Sequence, residues 1–89
     1  MFRNSVKIKD VKLEIAQLSK SCRKRQKISQ QELAEKLDVS RITIQNLESG
    51  KNCTIDTLLK LLQYFELLAE LNTFFVERRN DNENLNSLY

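Results

Sequence analysis

The 89-residue chain contains one glycine and no proline, and this shortage of turn residues limits the folds open to it. Tight β-hairpins need Gly, Asn-Gly or Asp-Gly between two alternating runs of apolar residues, and the sequence has no such arrangement. The chain is filled instead by Leu, Lys, Glu, Gln, Arg and Ala, which favour helices. We therefore predict an all-α fold, a compact bundle of about five helices.

Length and composition exclude several classes of protein. Eighty-nine residues make one small domain, and no stretch approaches the roughly 18 consecutive apolar residues of a membrane span. The first ten residues lack the apolar core of a secretory signal. The chain has no histidine and only two cysteines, so neither a zinc site nor an acid–base pair is expected. We expect a cytoplasmic protein that is not an enzyme and uses no metal and no cofactor.

Charge is unevenly divided along the chain. Residues 1–51 hold twelve Lys and Arg against six Asp and Glu, a net charge of +6, whereas residues 52–89 have a net charge of −3. A basic half joined to an acidic half indicates that one end meets a polyanion such as nucleic acid. The charge by itself is equally compatible with a solvated basic helix face.

Hydrophobic spacing divides the chain into three parts. They are a basic N-terminal arm at residues 1–9, a helical domain at residues 10–77 and a mobile C-terminal tail at residues 78–89. The first helix of the domain begins with Asp10 as its N-cap. Its apolar positions recur every three or four residues and are Val11, Ile15, Leu18 and Cys22.

The middle of the chain carries the signals of two short helices joined by a tight turn. Ser29 and Glu32 have the form of a capping box, and Asp38 ends the helix that they open. Ser40 caps the next helix, which Gly50 terminates. This layout is a helix-turn-helix. The inward positions of the two helices are Leu33, Ala34, Leu37, Ile44 and Leu47.

The C-terminal third begins with a fourth helix that Thr54 caps. Apolar residues keep helical spacing up to residue 77. This pattern predicts either one long helix or two helices with a break near Glu66.

The segment from Ser29 to Lys51, SQQELAEKLDVSRITIQNLESGK, resembles the helix-turn-helix of the Xre/lambda-repressor (Cro) family. The usual run of that family is S-Q-x-E-L-A-x-x-L-G-V-S-x-x-T-I-x-x-[IL]-E-x-G-x, and the likeness covers about residues 13–75. It implies a lambda-repressor-like fold and a sequence-specific repressor that binds a palindromic operator as a homodimer. The sequence departs from the pattern where the family often has glycine in a turn, at Lys27, Asp38 and Glu66.

The C-terminal third also resembles Xre-type regulators that are paired with HipA-like kinases in toxin–antitoxin operons. In both, a leucine-rich fourth helix runs into an L-L-x-x-L continuation, here at residues 67–71. This resemblance implies an autoregulatory HipB-like antitoxin, with double-stranded DNA and a HipA-like kinase toxin as its partners.

The third helix offers side chains that can read DNA bases. Arg pairs with guanine, Gln and Asn pair with adenine, and an exposed Ile packs on a thymine methyl group. The candidates for base reading are Ser40, Arg41, Ile42, Gln45 and Asn46. Ile42 could instead be a marginal core residue, and Arg41 a solvated cation.

A second set of side chains is suited to DNA phosphates. Gln30 begins a helix, where free amides and the helix dipole attract an anion, and the resemblance places a DNA-contacting Gln there. The candidates for phosphate binding are Ser29, Gln30, Thr43, Lys51 and Asn52. The resemblance also implies a structural ion pair between Arg23 and Glu48. A partly exposed pair contributes at most about 1 kcal/mol, so we expect it to orient the third helix more than to stabilise it.

Residues 64–76 carry more apolar surface than so small a domain can bury. The candidates for a homodimer interface are Leu67, Leu68, Leu71, Phe74 and Phe75. The same residues could instead complete a five-helix core. The alternative function is a protein-interaction module of the same fold that does not bind DNA. It predicts a third helix without useful hydrogen-bond donors, whereas this helix has three.

Overall fold

The computed structural model describes residues 5–87, with side chains described up to residue 84. Over this range the chain forms five helices and no strand, which confirms the predicted all-α fold. The helices are α1 Ile8–Gln26, α2 Gln30–Leu37, α3 Arg41–Glu48, α4 Ile55–Tyr64 and α5 Leu68–Ser87.

The hydrophobic core lies where α2, α3 and α4 meet. Its buried side chains are Leu33, Ala34, Leu37, Ile44, Leu47 and Leu61. The first five are the inward positions that the spacing of α2 and α3 predicts. Full burial of one Leu or Ile side chain stabilises the fold by about 1.5–3 kcal/mol, so these residues fix the rotation of both helices about their axes.

α1 packs on α3 through a face that only partly matches the one that its apolar spacing predicts. Val11 and Leu18 stay 49% and 38% exposed, whereas Ala16 and Ser19 are buried. These small side chains let the two helices approach closely, and the Ser19 hydroxyl donates to the Glu48 carboxylate at 2.7 Å. The expected inward face of α1 is therefore only partly correct, since Ile15 packs against the core and Cys22 is half-buried, whereas Val11 and Leu18 are exposed.

Side-chain caps begin α2, α3 and α4. The hydroxyls of Ser29, Ser40 and Thr54 each accept from the backbone N–H three residues on, at 3.0–3.1 Å. At α2 the box closes, since the Ser29 N–H donates to the Glu32 carboxylate at 2.9 Å. Each cap satisfies an N–H that has no partner within its helix, typically for about 1 kcal/mol.

α1 begins earlier than the sequence predicts. Its first residue is Ile8 and its N-cap is Lys7, because the Asp10 carboxylate accepts the Lys7 N–H at 2.9 Å from inside the first turn. The proposed boundary between arm and domain at residues 9 and 10 therefore moves into the arm. Residues 1–4 of that arm lie outside the described range.

α5 is longer than the sequence predicts, since residues 78–87 of the expected tail continue the helix to Ser87. Exposed ion pairs three and four residues apart support this stretch, Arg78–Asp81 and Arg79–Glu83. Apolar periodicity could not have indicated a helix with polar residues on every side. Residues 88 and 89 lie outside the described range.

Three turns have a left-handed residue that is not glycine. Lys27, Asp38 and Glu66 have φ values of 58°, 56° and 63°. After each, the next N–H donates to a carbonyl five residues back, at 3.1, 3.0 and 2.7 Å, which closes the helix end. The departures from glycine thus cost strain of about 1–2 kcal/mol each but leave the turns intact. The turn at Glu66 separates α4 from α5, so residues 54–77 form two helices.

Candidate nucleic-acid interface

The outward face of α3 is defined by the burial of the opposite face. Ile44 and Leu47 are only 0% and 2% exposed, so the intervening positions point away from the core. Four of the predicted base-reading residues share this side. Arg41 and Ile42 are exposed, and Gln45 and Asn46 are half-buried. One guanidinium, two side-chain amides and an apolar group therefore lie on one short helix.

Ser40 is occupied at the start of this helix. Its hydroxyl accepts the Thr43 N–H at 3.1 Å and lies 2.8 Å from the Thr43 hydroxyl. Ser40 and Thr43 are both predicted to contact DNA, and their side chains also form the N-terminal cap of α3. Their place at the N-terminus of α3 puts them beside the free N–H groups that attract an anion.

Ser29 and Gln30 lie at the corresponding end of α2. The Ser29 hydroxyl caps the helix, whereas the Gln30 amide donates to the Glu48 carboxylate at 3.0 Å. A side-chain amide has two N–H donors, so Gln30 keeps one donor and its carbonyl oxygen after this bond. Gln30 is thus tied to α3 from the position that the sequence predicts for a phosphate contact.

The Glu48 carboxylate joins α1, α2 and α3. One oxygen accepts from Ser19 at 2.7 Å and from Arg23 Nε at 3.1 Å, and the other accepts from Arg23 Nη2 at 2.9 Å and Gln30 at 3.0 Å. Burial raises the pKa of the Glu48 carboxyl, but the hydrogen bonds from Arg23, Gln30 and Ser19 outweigh it and hold the pKa below the ordinary value. The carboxylate is therefore charged and fully paired beneath the outward face of α3.

The Arg23–Glu48 pair is more buried than the sequence analysis assumed. The side chains are 16% and 1% exposed, so the limit of about 1 kcal/mol for exposed pairs does not apply. Removing one partner of a buried pair typically costs about 3–5 kcal/mol, because a desolvated charge is left behind. The pair consequently orients α3, and the fold depends on both partners being present together.

The loop after α3 carries Lys51 and Asn52, both exposed. The side-chain oxygen Oδ1 of Asn52 accepts a hydrogen bond from the ammonium of Lys12 on α1. Sequence reasoning missed Lys12, and it also missed Ser19 as a partner of Glu48. Both share one side of α1 with Arg23, and this helical spacing was the signal that could have found them.

The predicted dimer residues lie along α5 and the turn before it. Leu67, Leu68 and Leu71 are half-buried, whereas Phe74 and Phe75 are 53% and 57% exposed. An open groove of about 660 Å³ runs between α4 and α5, and its lining is almost wholly apolar. It includes Leu68, Leu71 and Phe75 together with Ile55 and Leu58 of α4. Ile55, which is 72% exposed, is a member of this surface that sequence reasoning missed.

The region that carries this geometry matches a known protein family. A family model described as Helix-turn-helix matches residues 20–69, which is more than half of the chain and spans the end of α1 through the start of α5. The chain belongs to this helix-turn-helix family. The family is of the Xre/lambda-repressor type, as the resemblance implies, and its domain is a DNA-binding regulatory domain. No curated protein and no solved structure matches the chain.

Two further properties of the described residues concern metal binding and membrane crossing. Among residues 5–87, no three His, Cys, Asp or Glu side chains are grouped as they would be around a metal ion. None of the helices in the same range combines the length and the apolar character that crossing a bilayer requires.

Proposed function

We propose that the protein is a sequence-specific transcriptional repressor that binds a palindromic operator and controls its own operon. The observation that carries this proposal is the outward face of α3, where Arg41, Gln45 and Asn46 are accessible over a fixed core. Arg can bond two acceptors of guanine, and Gln or Asn can bond adenine in the same manner. Ile42, 66% exposed, adds a group for a thymine methyl.

Contacts to the DNA backbone are proposed on both sides of this face. The N-termini of α2 and α3 and the loop after α3 hold the phosphate-binding candidates, Ser29, Gln30, Thr43, Lys51 and Asn52. Backbone contacts of this kind set the register of a protein on DNA without reading sequence. Gln30 has a double role in this proposal, since its bond to Glu48 links the phosphate contact to α3.

We further infer that two copies bind together. The apolar groove between α4 and α5 and the exposed rings of Phe74 and Phe75 support this inference, because soluble monomers rarely leave such patches uncovered. A two-fold axis through this surface pairs two α3 helices with half-sites about 34 Å apart. The proposed interface consists of Leu67, Leu68, Leu71, Phe74 and Phe75.

The narrower hypothesis is that the repressor is the HipB-like antitoxin of a HipA-like kinase. It rests on the leucine-rich sequence of residues 52–75 and stays a prediction. A protein-interaction module without DNA binding is the alternative. The donors on α3 argue against it, since such a module has no need to keep Arg41, Gln45 and Asn46 on one accessible face.

The test is a salt titration of binding to the DNA just upstream of the gene, compared with a scrambled duplex of equal length. We expect a preference of at least about a thousandfold for the upstream DNA. Equal and weak binding to both duplexes would contradict sequence-specific autoregulation. Absence of binding even at low salt would favour the interaction module instead.

A further inference from the structure

Lys12 stands outside the helix-turn-helix match, yet it lies against the part of the interface that follows α3. It belongs to the N-terminal half of α1, 40 residues before Asn52 in sequence, and its ammonium donates to the Asn52 side-chain oxygen. Lys12 is half-buried, so its aliphatic stem is packed while its charged end is held at the loop. The position of this cation is therefore set by the tertiary structure.

Gly50 brings the loop to α1. Its φ is +75°, and a Cβ atom there would lie 2.8 Å from Leu13 Cδ2 and 3.9 Å from Leu13 Cα. Only glycine combines this left-handed conformation with so close an approach. The Lys51 N–H donates to the Asn46 carbonyl at 3.0 Å and holds the loop against the end of α3. The loop after α3 therefore packs between α3 and α1, and this packing places Asn52 beside Lys12.

The pair offers donors to an anion. A lysine ammonium has three N–H donors and no acceptor, so the Asn52 oxygen must face it and the Asn52 NH₂ group remains to donate elsewhere. The ion pairs among residues 5–87 join other side chains, and none of them places a carboxylate on Lys12. Lys51 precedes Asn52 in the chain and is exposed, so the same loop carries a second cation.

We propose that Lys12, positioned by Asn52, binds a phosphate of the DNA backbone, so that α1 extends the DNA-binding surface beyond the helix-turn-helix. This inference rests on the proposed function, because it assigns a further contact to the same DNA complex. A diester phosphate fits the site, since its two free oxygens accept from the ammonium and the amide together. An acidic protein partner is the outcome that the experiment must distinguish.

The experiment measures the salt dependence of binding to a mixed-sequence duplex of about 30 base pairs, because a phosphate contact needs no operator. Fluorescence anisotropy is recorded between about 50 and 200 mM KCl for the full chain and its variants. Lys12→Gln removes the charge and keeps an unbranched polar side chain that is one atom shorter. The slope of log K against log[KCl] should become shallower by about 0.9 for each bound copy. Taken from a reference of about 1 M KCl, a slope change of about 0.9 corresponds at about 0.1 M to binding about eightfold weaker per bound copy.

Three variants complete the design. Lys60→Gln removes an exposed cation of α4 that lies beside the end of α2, and its slope should equal that of the unmodified protein. Lys12→Arg should keep the original slope. Asn52→Ala should weaken binding much less in the Lys12→Gln protein than in the unmodified protein, because both side chains serve one phosphate.

The outcomes separate the two proposals. Lack of salt-dependent binding by the unmodified protein would refute the proposed function. Normal binding together with an unchanged slope for Lys12→Gln would refute this inference alone. Circular dichroism melting curves of all variants show whether a changed slope accompanies an intact fold.

Discussion

Replacing Arg23 tests the central structural argument, that the buried Glu48 carboxylate holds α3 in place. Arg23→Met keeps an unbranched side chain as far as the position of Nε but removes two hydrogen bonds to Glu48, at 2.9 and 3.1 Å, and a third to the Ile28 carbonyl at 3.1 Å. Ser19 and Gln30 continue to donate to the carboxylate, so it keeps two of its four bonds.

The magnitude follows from this geometry. Loss of one partner from a buried pair costs about 3–5 kcal/mol, and the 16% exposure of Arg23 admits some water, so we expect a loss of about 3 kcal/mol in the free energy of unfolding. For 89 residues at about 0.05–0.15 kcal/mol each, the whole stability is about 4–13 kcal/mol. The variant should therefore unfold at a clearly lower urea concentration, as measured by circular dichroism at a fixed protein concentration.

A second substitution separates the ion pair from the packing around it. Glu48→Met in the Arg23→Met protein removes the desolvated charge, so the double variant should be at least as stable as Arg23→Met alone. A loss below about 1 kcal/mol for Arg23→Met would refute the reasoning, because it would mean that the pair behaves as an exposed one.

The same pair sets the response to acid. The folded-state pKa of Glu48 lies below its ordinary value of 4.5, so its contribution is complete above that value and is lost as the pH falls through the lowered pKa. In Arg23→Met the pKa of Glu48 rises because its strongest hydrogen-bond partner is gone. The difference between the folded and unfolded pKa narrows, so this carboxyl should contribute a smaller loss of stability as the pH falls. Urea midpoints measured at intervals between about pH 3 and 7 follow this shift for both proteins.

Three further predictions concern DNA contacts, assembly and the loop after α3. Arg41→Ala should cost about 1–3 kcal/mol on the operator and much less on scrambled DNA, and equal losses in anisotropy titrations on both would exclude a base-reading role. Leu71→Asp should sediment as a monomer, since a charge in the apolar groove opposes burial against a second copy, and a folded variant of unchanged mass would exclude that surface. Gly50→Ala should lower the free energy of unfolding by about 1–2 kcal/mol because φ is +75°, and an unchanged urea midpoint would contradict this.

The sequence predicts those features whose causes lie within a few residues. The caps at Ser29, Ser40 and Thr54 form because each hydroxyl meets an N–H three residues away. The inward positions of α2 and α3 follow from spacing, since each short amphipathic helix has only one apolar side. The end of α5 could not be found in this way, because an exposed polar helix has no such side.

The candidate interface was predictable only in part. The order of helices and the outward side of α3 came from local signals, and with them the residues Arg41, Ile42, Gln45 and Asn46. The contacts to DNA bases and phosphates stay predictions.

Apart from the Arg23–Glu48 pair, which the family resemblance implied, tertiary structure decided which groups meet beneath and beside that interface. The bonds from Ser19, Arg23 and Gln30 to Glu48 join residues 18–29 apart in sequence, and the bond from Lys12 to Asn52 spans 40. Such pairings depend on how whole helices pack, and the same packing leaves Val11 and Leu18 of α1 exposed while Ala16 and Ser19 are buried. Local chemistry thus determined the helices and their caps, whereas the contacts that pair one buried charge depend on the packing of three helices.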